Sequence, residues 1–222
     1  MISDRKISTP PTIIDSWLPI LRREKAIAII RAPRFDLGIA MAEAVAKGGI
    51  ELIEITWNSD RPTALIAELR VRLPDCTIGA GTILDPRQLK NAIACGAQFV
   101  FSPHFNSDLV EICVHRHQIP YIPGVLSPTE IVTAWQTGAS ALKVFPVGAM
   151  GGASYLKSLQ APLGDIPLIP TGGITLDNAA EMMASGAIAV GLSGGLFAKS
   201  LVETGDWQQI SDRAKHLLNK LN

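Results

Sequence analysis

Ala141-Leu142-Lys143-Val144-Phe145-Pro146 sets an ammonium-bearing side chain third in a run that is otherwise apolar. A short apolar run predicts a strand buried on both faces, as in a parallel sheet. A lysine buried there is costly unless it is paired or gives up its proton. A neutral amine is a nucleophile that forms a Schiff base with a carbonyl substrate. The alternative is a lysine that snorkels from the strand end with its head in water.

The rest of the chain repeats this run. Apolar stretches recur at 26–31, 52–56, 77–82, 99–103, 120–125, 141–146, 167–173 and 187–191. Amphipathic segments of about ten to fourteen residues separate them, the length of crossover helices. Gly48-Gly49-Ile50, Gly96-Ala97-Gln98, Gly138-Ala139-Ser140 and Gly186-Ala187-Ile188 form an internal echo, each closing a helix before a strand. Strand and helix alternating eight times predict a single (β/α)8 TIM barrel spanning 1–222. A lead and an extra N-terminal helix occupy 1–24, with the helix beginning near Thr12 and running to Arg23. The barrel occupies 25–200, and a C-terminal helix fills 201–222.

In such barrels the chemistry sits at the C-terminal strand ends, and inward residues alternate with those facing the helices. On the sixth strand Ala141, Lys143 and Phe145 share a face; on the second, Leu52, Glu54 and Thr56 do. If the bulkier aliphatic residues face the helices, Lys143 and Glu54 both point inward as a catalytic pair. Candidate substrate-binding residues are Arg31, Thr82, Pro123 and Phe145, at the ends of the first, third, fifth and sixth strands. Arg31 offers a planar fork suited to a carboxylate. After the seventh and eighth strands come Thr171-Gly172-Gly173-Ile174-Thr175 and Gly191-Leu192-Ser193-Gly194-Gly195. Loops at those two positions are the usual phosphate site of these barrels, so Gly172, Gly173, Ser193 and Gly194 are phosphate-binding candidates. Glycine in a tight turn is the plainer reading of each loop alone.

Other residues have simpler roles. Ser127-Pro128-Thr129-Glu130 reads as a capping box. His115, His117 and His216 read as solvated, whereas His104 ends the fourth strand and could support the site. Trp57 and Trp135 read as packing residues. Only Glu54 and His104 are available for a strand-end metal site, so metal is not expected.

Composition narrows the class. Twenty basic residues balance twenty acidic ones, and no basic run argues for nucleic acid. No stretch reaches the roughly 18 apolar residues of a membrane helix, and the first residues lack a signal-peptide core. Cys76, Cys95 and Cys113 read as reduced thiols, hence a cytoplasmic protein. Charged residues are only 18% of the chain, which suggests surface covered by other subunits.

Taken together, the motifs resemble the 2-keto-3-deoxy-6-phosphogluconate / 2-keto-4-hydroxyglutarate aldolase family. They are Glu54-Ile55-Thr56, Gly79-Ala80-Gly81-Thr82, Ser102-Pro103-His104, Pro123-Gly124-Val125, Pro128-Thr129-Glu130, Lys143-Val144-Phe145-Pro146 and Pro170-Thr171-Gly172-Gly173-Ile174. The resemblance runs from about Lys25 to Phe197 in family order. It implies a class I aldolase without cofactor or metal, a homotrimer, acting on a small keto acid in the Entner–Doudoroff route. It implies the Schiff-base role for Lys143, the acid/base role for Glu54, the pyruvate pocket for Thr82 and phosphate contact for Gly172 and Gly173. Two positions depart from the family. Asn58 stands where many members carry Arg, which leaves the substrate carboxylate to Arg31. Ser193-Gly194 reverses a common Gly-Ser order, so phosphate affinity is open. Alternatives from the residues themselves are a phosphosugar isomerase or epimerase barrel and a non-catalytic phosphate-metabolite sensor.

Overall fold

A computed structural model describes residues 13–222; the expected lead and Thr12 lie outside the described residues. Helix α1 (Ile13–Glu24) precedes β1 (Ala26–Ile30), α2 (Phe35–Lys47), β2 (Leu52–Thr56), α3 (Pro62–Arg72), β3 (Thr77–Gly81), α4 (Pro86–Ala94) and β4 (Val100–Phe101). Helix α5 (Ser107–Val110) runs on in π-helical turns over Glu111–Arg116. Then come β5 (Tyr121–Ile122), β6 (Gly124–Val125), α6 (Pro128–Gln136), β7 (Leu142–Val144), α7 (Ala153–Leu163), β8 (Leu168–Pro170), α8 (Ala179–Ala184), β9 (Val190–Leu192), α9 (Lys199–Thr204) and α10 (Trp207–Leu221).

This is an α/β fold in which every strand pairing is parallel. Six strands pair in the order β5-β4-β3-β2-β1-β9, a half-barrel, and β6-β7-β8 form a second sheet. Isolated parallel bridges, Leu168 to Ala187 and Thr171 to Gly191, connect the β8 and β9 segments.

The alternation expected of a barrel wall is visible in two separate apolar clusters. Ala28, Ile30, Ile53, Ile55, Leu142 and Val144 pack outward among the helices. Ile27, Ile29, Leu52, Phe99, Phe101, Ala141 and Ile169 pack against one another on the other face. Trp17 and Leu21 of α1 join that second cluster, with the Trp17 ring 5.2 Å from Phe99. The extra N-terminal helix therefore plugs the inner layer, contributing two fully buried side chains.

The glycine echo has a common geometry. Gly49, Gly96, Gly138 and Gly186 lie at φ of +96°, +91°, +101° and +98°. Each following residue donates its N–H five residues back: Ile50 to Val45, Ala97 to Ala92, Ala139 to Ala134, Ala187 to Met182. These are Schellman closures, which require the left-handed conformation that glycine adopts without penalty.

Two boundaries differ from the sequence expectation. The fifth run divides into β5 and β6 because Pro123 has no N–H to donate; its carbonyl accepts the Lys143 N–H at 2.9 Å. The segment 201–222 is not one helix. Gly205 turns at φ +70° and Asp206 caps a new helix by accepting the Gln209 N–H.

Candidate active site

Lys143 and Glu54 project from β7 and β2 to the inner layer, as the strand parity predicts. The Lys143 Nζ lies 3.9 Å from Glu54 Oε1, with the two side chains 7% and 0% exposed. The rings of Phe101 and Phe145 stand 5.4 and 5.3 Å from the same nitrogen. Burial pushes the Glu54 carboxyl above its ordinary range, opposed by the charges of Lys143 and Arg31. Neither carboxylate oxygen is hydrogen-bonded to a described residue. A buried acceptor left open in this way marks a place where function outweighs local stability.

Room for that carboxylate comes from Gly81 on the neighbouring strand β3. A Cβ there would sit 1.7 Å from Glu54 Oε1. Gly81→Ala should therefore displace the carboxylate, lower stability by about 1–3 kcal/mol and reduce kcat. Thermal melting with steady-state kinetics checks this; an unchanged melting temperature and kcat would contradict it.

A cavity of about 540 Å³ opens over the pair. Arg31, Thr82 and Phe145 line it, as do Gly172, Gly173, Ser193 and Gly194. Arg31 is exposed and forms no ion pair with a described residue, leaving its fork open to an anion. Thr82 follows Gly81 at φ +60°, an unfavourable conformation for a β-branched residue that persists where the surroundings impose it. Pro123 does not line the cavity; it is buried, with its carbonyl bonded to the Lys143 N–H. Asn58 is exposed and stands outside the cavity too.

Sequence reading missed Pro103, Thr56 and Thr171, which also line the cavity. Pro103 carries no polar side chain to mark it in the sequence, and the neighbouring His104 does not line the cavity. His104 contributes its carbonyl instead, which accepts from the Ser102 hydroxyl. The signal for Thr171 was parity: it follows inward Ile169 by two residues, as Thr56 follows Glu54.

The two glycine turns meet at the cavity rim. Gly148 N–H donates to Gly172 O at 2.9 Å and Val147 N–H to Thr171 O at 3.0 Å, tying the segment after β7 to the turn after β8. Asn178 braces that turn, accepting from Thr175 N–H at 2.8 Å and donating to Gly173 O at 2.9 Å. The N–H groups of Gly173, Ile174, Gly194 and Gly195 are bonded to no described backbone carbonyl or side chain. Unspent amides clustered at a rim can cradle an anion.

Residues set aside earlier stay outside this cavity. Ser127 and Glu130 form the capping box at the start of α6, and His115, His117 and His216 are exposed. Trp57 and Trp135 pack against the outer core. Among the described residues, no three His, Cys, Asp or Glu side chains cluster as a metal site, and no helix is long and apolar enough to cross a membrane.

Comparison with known proteins meets this geometry from the other side. A 2-dehydro-3-deoxy-phosphogluconate aldolase of Treponema pallidum is 34% identical over 198 residues, covering 89% of this chain and 94% of the relative. The native KDPGal structure matches with a TM-score of 0.79 at 31% identity, covering 88% of this chain and 93% of that one. KDPG aldolase from Legionella pneumophila, with pyruvate captured as a covalent carbinolamine, matches with a TM-score of 0.83 at 27% identity, covering 94% and 98%. The family model for KDPG and KHG aldolase matches residues 18–213, a span that holds the buried lysine–glutamate pair and both glycine turns, and the chain belongs to that aldolase family.

Proposed function

We propose that this chain cleaves 2-keto-3-deoxy-6-phosphogluconate to pyruvate and glyceraldehyde 3-phosphate, and 2-keto-4-hydroxyglutarate to pyruvate and glyoxylate, through a Schiff base on Lys143. The observation that carries the site assignment is the buried Lys143–Glu54 pair under an open cavity. A neutral Lys143 amine attacks the C2 ketone, and loss of water from the carbinolamine leaves an iminium. Glu54 accepts the C4 hydroxyl proton while the C3–C4 electron pair flows into the iminium. The aldehyde departs and an enamine remains. Protonated Glu54 returns its proton to C3, and water hydrolyses the new iminium to free pyruvate and Lys143. A carboxyl raised by burial suits this alternation between acid and base. Nothing in these steps draws on a cofactor. Aldolase family membership leaves the isomerase, epimerase and sensor readings without support.

Arg31 is assigned to the keto-acid carboxylate, with Thr82 and Phe145 shaping the pyruvate pocket. Gly172, Gly173, Ser193 and Gly194 are assigned to the phosphate. Pro123 is kept as a support of β7, a role that its carbonyl bond to Lys143 favours. The two sheets are read as arcs of one closed eight-stranded barrel, in a single domain: β5 and β6 are continuous through Pro123, and the two bridges join β8 to β9. A cytoplasmic homotrimer is the assembly we expect, consistent with the low charge content and with exposed Met150.

Turnover of the two substrates, read as pyruvate release, tests this function; release from neither overturns it. The turn assignment has a sharper test in Gly194→Asp, where a Cβ meets nothing within 4 Å and the backbone is not left-handed. The added carboxylate should raise KM for the phosphorylated substrate by roughly tenfold or more, a loss of about 1.4 kcal/mol or more. The unphosphorylated substrate should change little. Arg31→Ala should raise KM for both substrates, because both carry the carboxylate. Equal losses from Gly194→Asp would make the turn merely structural.

A further inference from the structure

The turn after β9 holds no lysine or arginine, yet a guanidinium stands directly behind it. Arg213, on α10, donates from Nη2 to the Gly195 carbonyl at 2.6 Å. Its Nε–H is buried and bonded to no described residue, and no described carboxylate pairs with it within salt-bridge distance. It is half-buried, so its charge is screened less than that of a surface arginine. A partly buried cation without a counter-ion is an expensive feature to keep.

We infer that Arg213 is a positioning residue for phosphate recognition, acting through the turn and not by touching substrate. This rests on the phosphate assignment above. Holding the Gly195 carbonyl fixes the plane of the Gly195–Leu196 peptide. The neighbouring Leu196 and Phe197 N–H groups close back on Ser193 O, both at 2.9 Å. Gly195 is also pressed against the other turn, where a Cβ would meet Ile174 O at 2.8 Å. The two turns thus form one platform, and Arg213 locks it from the rear. Its net charge adds to the field of the unspent Gly194 and Gly195 amides at the place where an anion would sit. Preorganised dipoles of this kind favour charge more than groups that must reorient.

The test compares wild type with Arg213→Gln in kcat/KM for phosphorylated and unphosphorylated keto acid, and in inhibition of the unphosphorylated reaction by inorganic phosphate. Arg213→Gln should cut the phosphorylated-to-unphosphorylated ratio roughly tenfold and raise the inhibition constant of phosphate by a similar factor. Arg213→Lys, keeping charge but losing the planar fork, should lose only severalfold. A ratio unchanged in Arg213→Gln overturns the inference and leaves a contact that merely anchors α10. If wild type itself shows no preference and phosphate does not inhibit it, the phosphate assignment fails, and the inference falls with it. Should Arg213→Gln not fold, Arg213→Lys decides: weakened discrimination supports the role, and unchanged discrimination overturns it.

Discussion

Lys143→Arg should lose roughly 10⁴-fold or more in kcat/KM, as much as Lys143→Met. The pair is chosen to separate two uses of a buried cation. An arginine keeps the positive charge beside Glu54, so it would preserve much of the activity if Lys143 were only an electrostatic clamp. It cannot form a Schiff base, because its guanidinium does not deprotonate in proteins. Methionine removes the charge and keeps the stem among the Phe101 and Phe145 rings. Both variants should fold: arginine keeps the counter-charge, and in the methionine variant Glu54 can take up a proton when that charge goes. Substantial activity in the arginine variant would reject covalent catalysis at this position.

Glu54→Gln comes next in size, with kcat falling by about 10²–10⁴ because the shape remains and the proton transfer is lost. Trapping of pyruvate on Lys143 should partly survive. Stability should move the opposite way. Burial raises the Glu54 carboxyl, so the folded chain binds that proton more tightly than the unfolded chain does. The stabilisation from protonated Glu54 is fully present below the ordinary carboxyl range and is lost as pH rises through the folded value. Glutamine mimics the protonated form at every pH. The variant should therefore melt higher than wild type near pH 8 by a few degrees, about 2–4 °C per kcal/mol. That gap should close toward about pH 4. A gap that is constant with pH would mean that Glu54 is not the group held up by burial.

The pair itself was legible from parity, because period-two alternation fixes which side chains share a face. Lys143 and Glu54 could be placed inward on one further assumption, that the aliphatic neighbours Leu142, Val144, Ile53 and Ile55 face the helices, and the outer cluster bears that out. The glycine turns were legible because glycine marks backbone demands that other residues meet only under strain. What could not be read was where a backbone group replaces a side chain. Pro123 reads as a strand-end ligand in sequence but acts through its carbonyl under β7, and His104 through its carbonyl instead of its ring. The break at Gly205 lies in the short stretch between Lys199–Thr204 and Trp207–Leu221, where Gly205 takes the left-handed conformation and Asp206 starts the new helix. Arg213 was invisible for a related reason: its partner is the Gly195 carbonyl, 18 residues away in sequence and without a side chain to suggest it.

Reductive trapping tests the covalent role of Lys143 most directly. The wild-type protein is incubated with pyruvate and borohydride, digested, and mapped by mass spectrometry across its nine lysines. The expected result is one reduced pyruvate adduct, on the peptide carrying Lys143, with activity lost in proportion to labelling. An unlabelled Lys143, or an adduct on any of the other eight lysines that tracks the loss of activity, would contradict it.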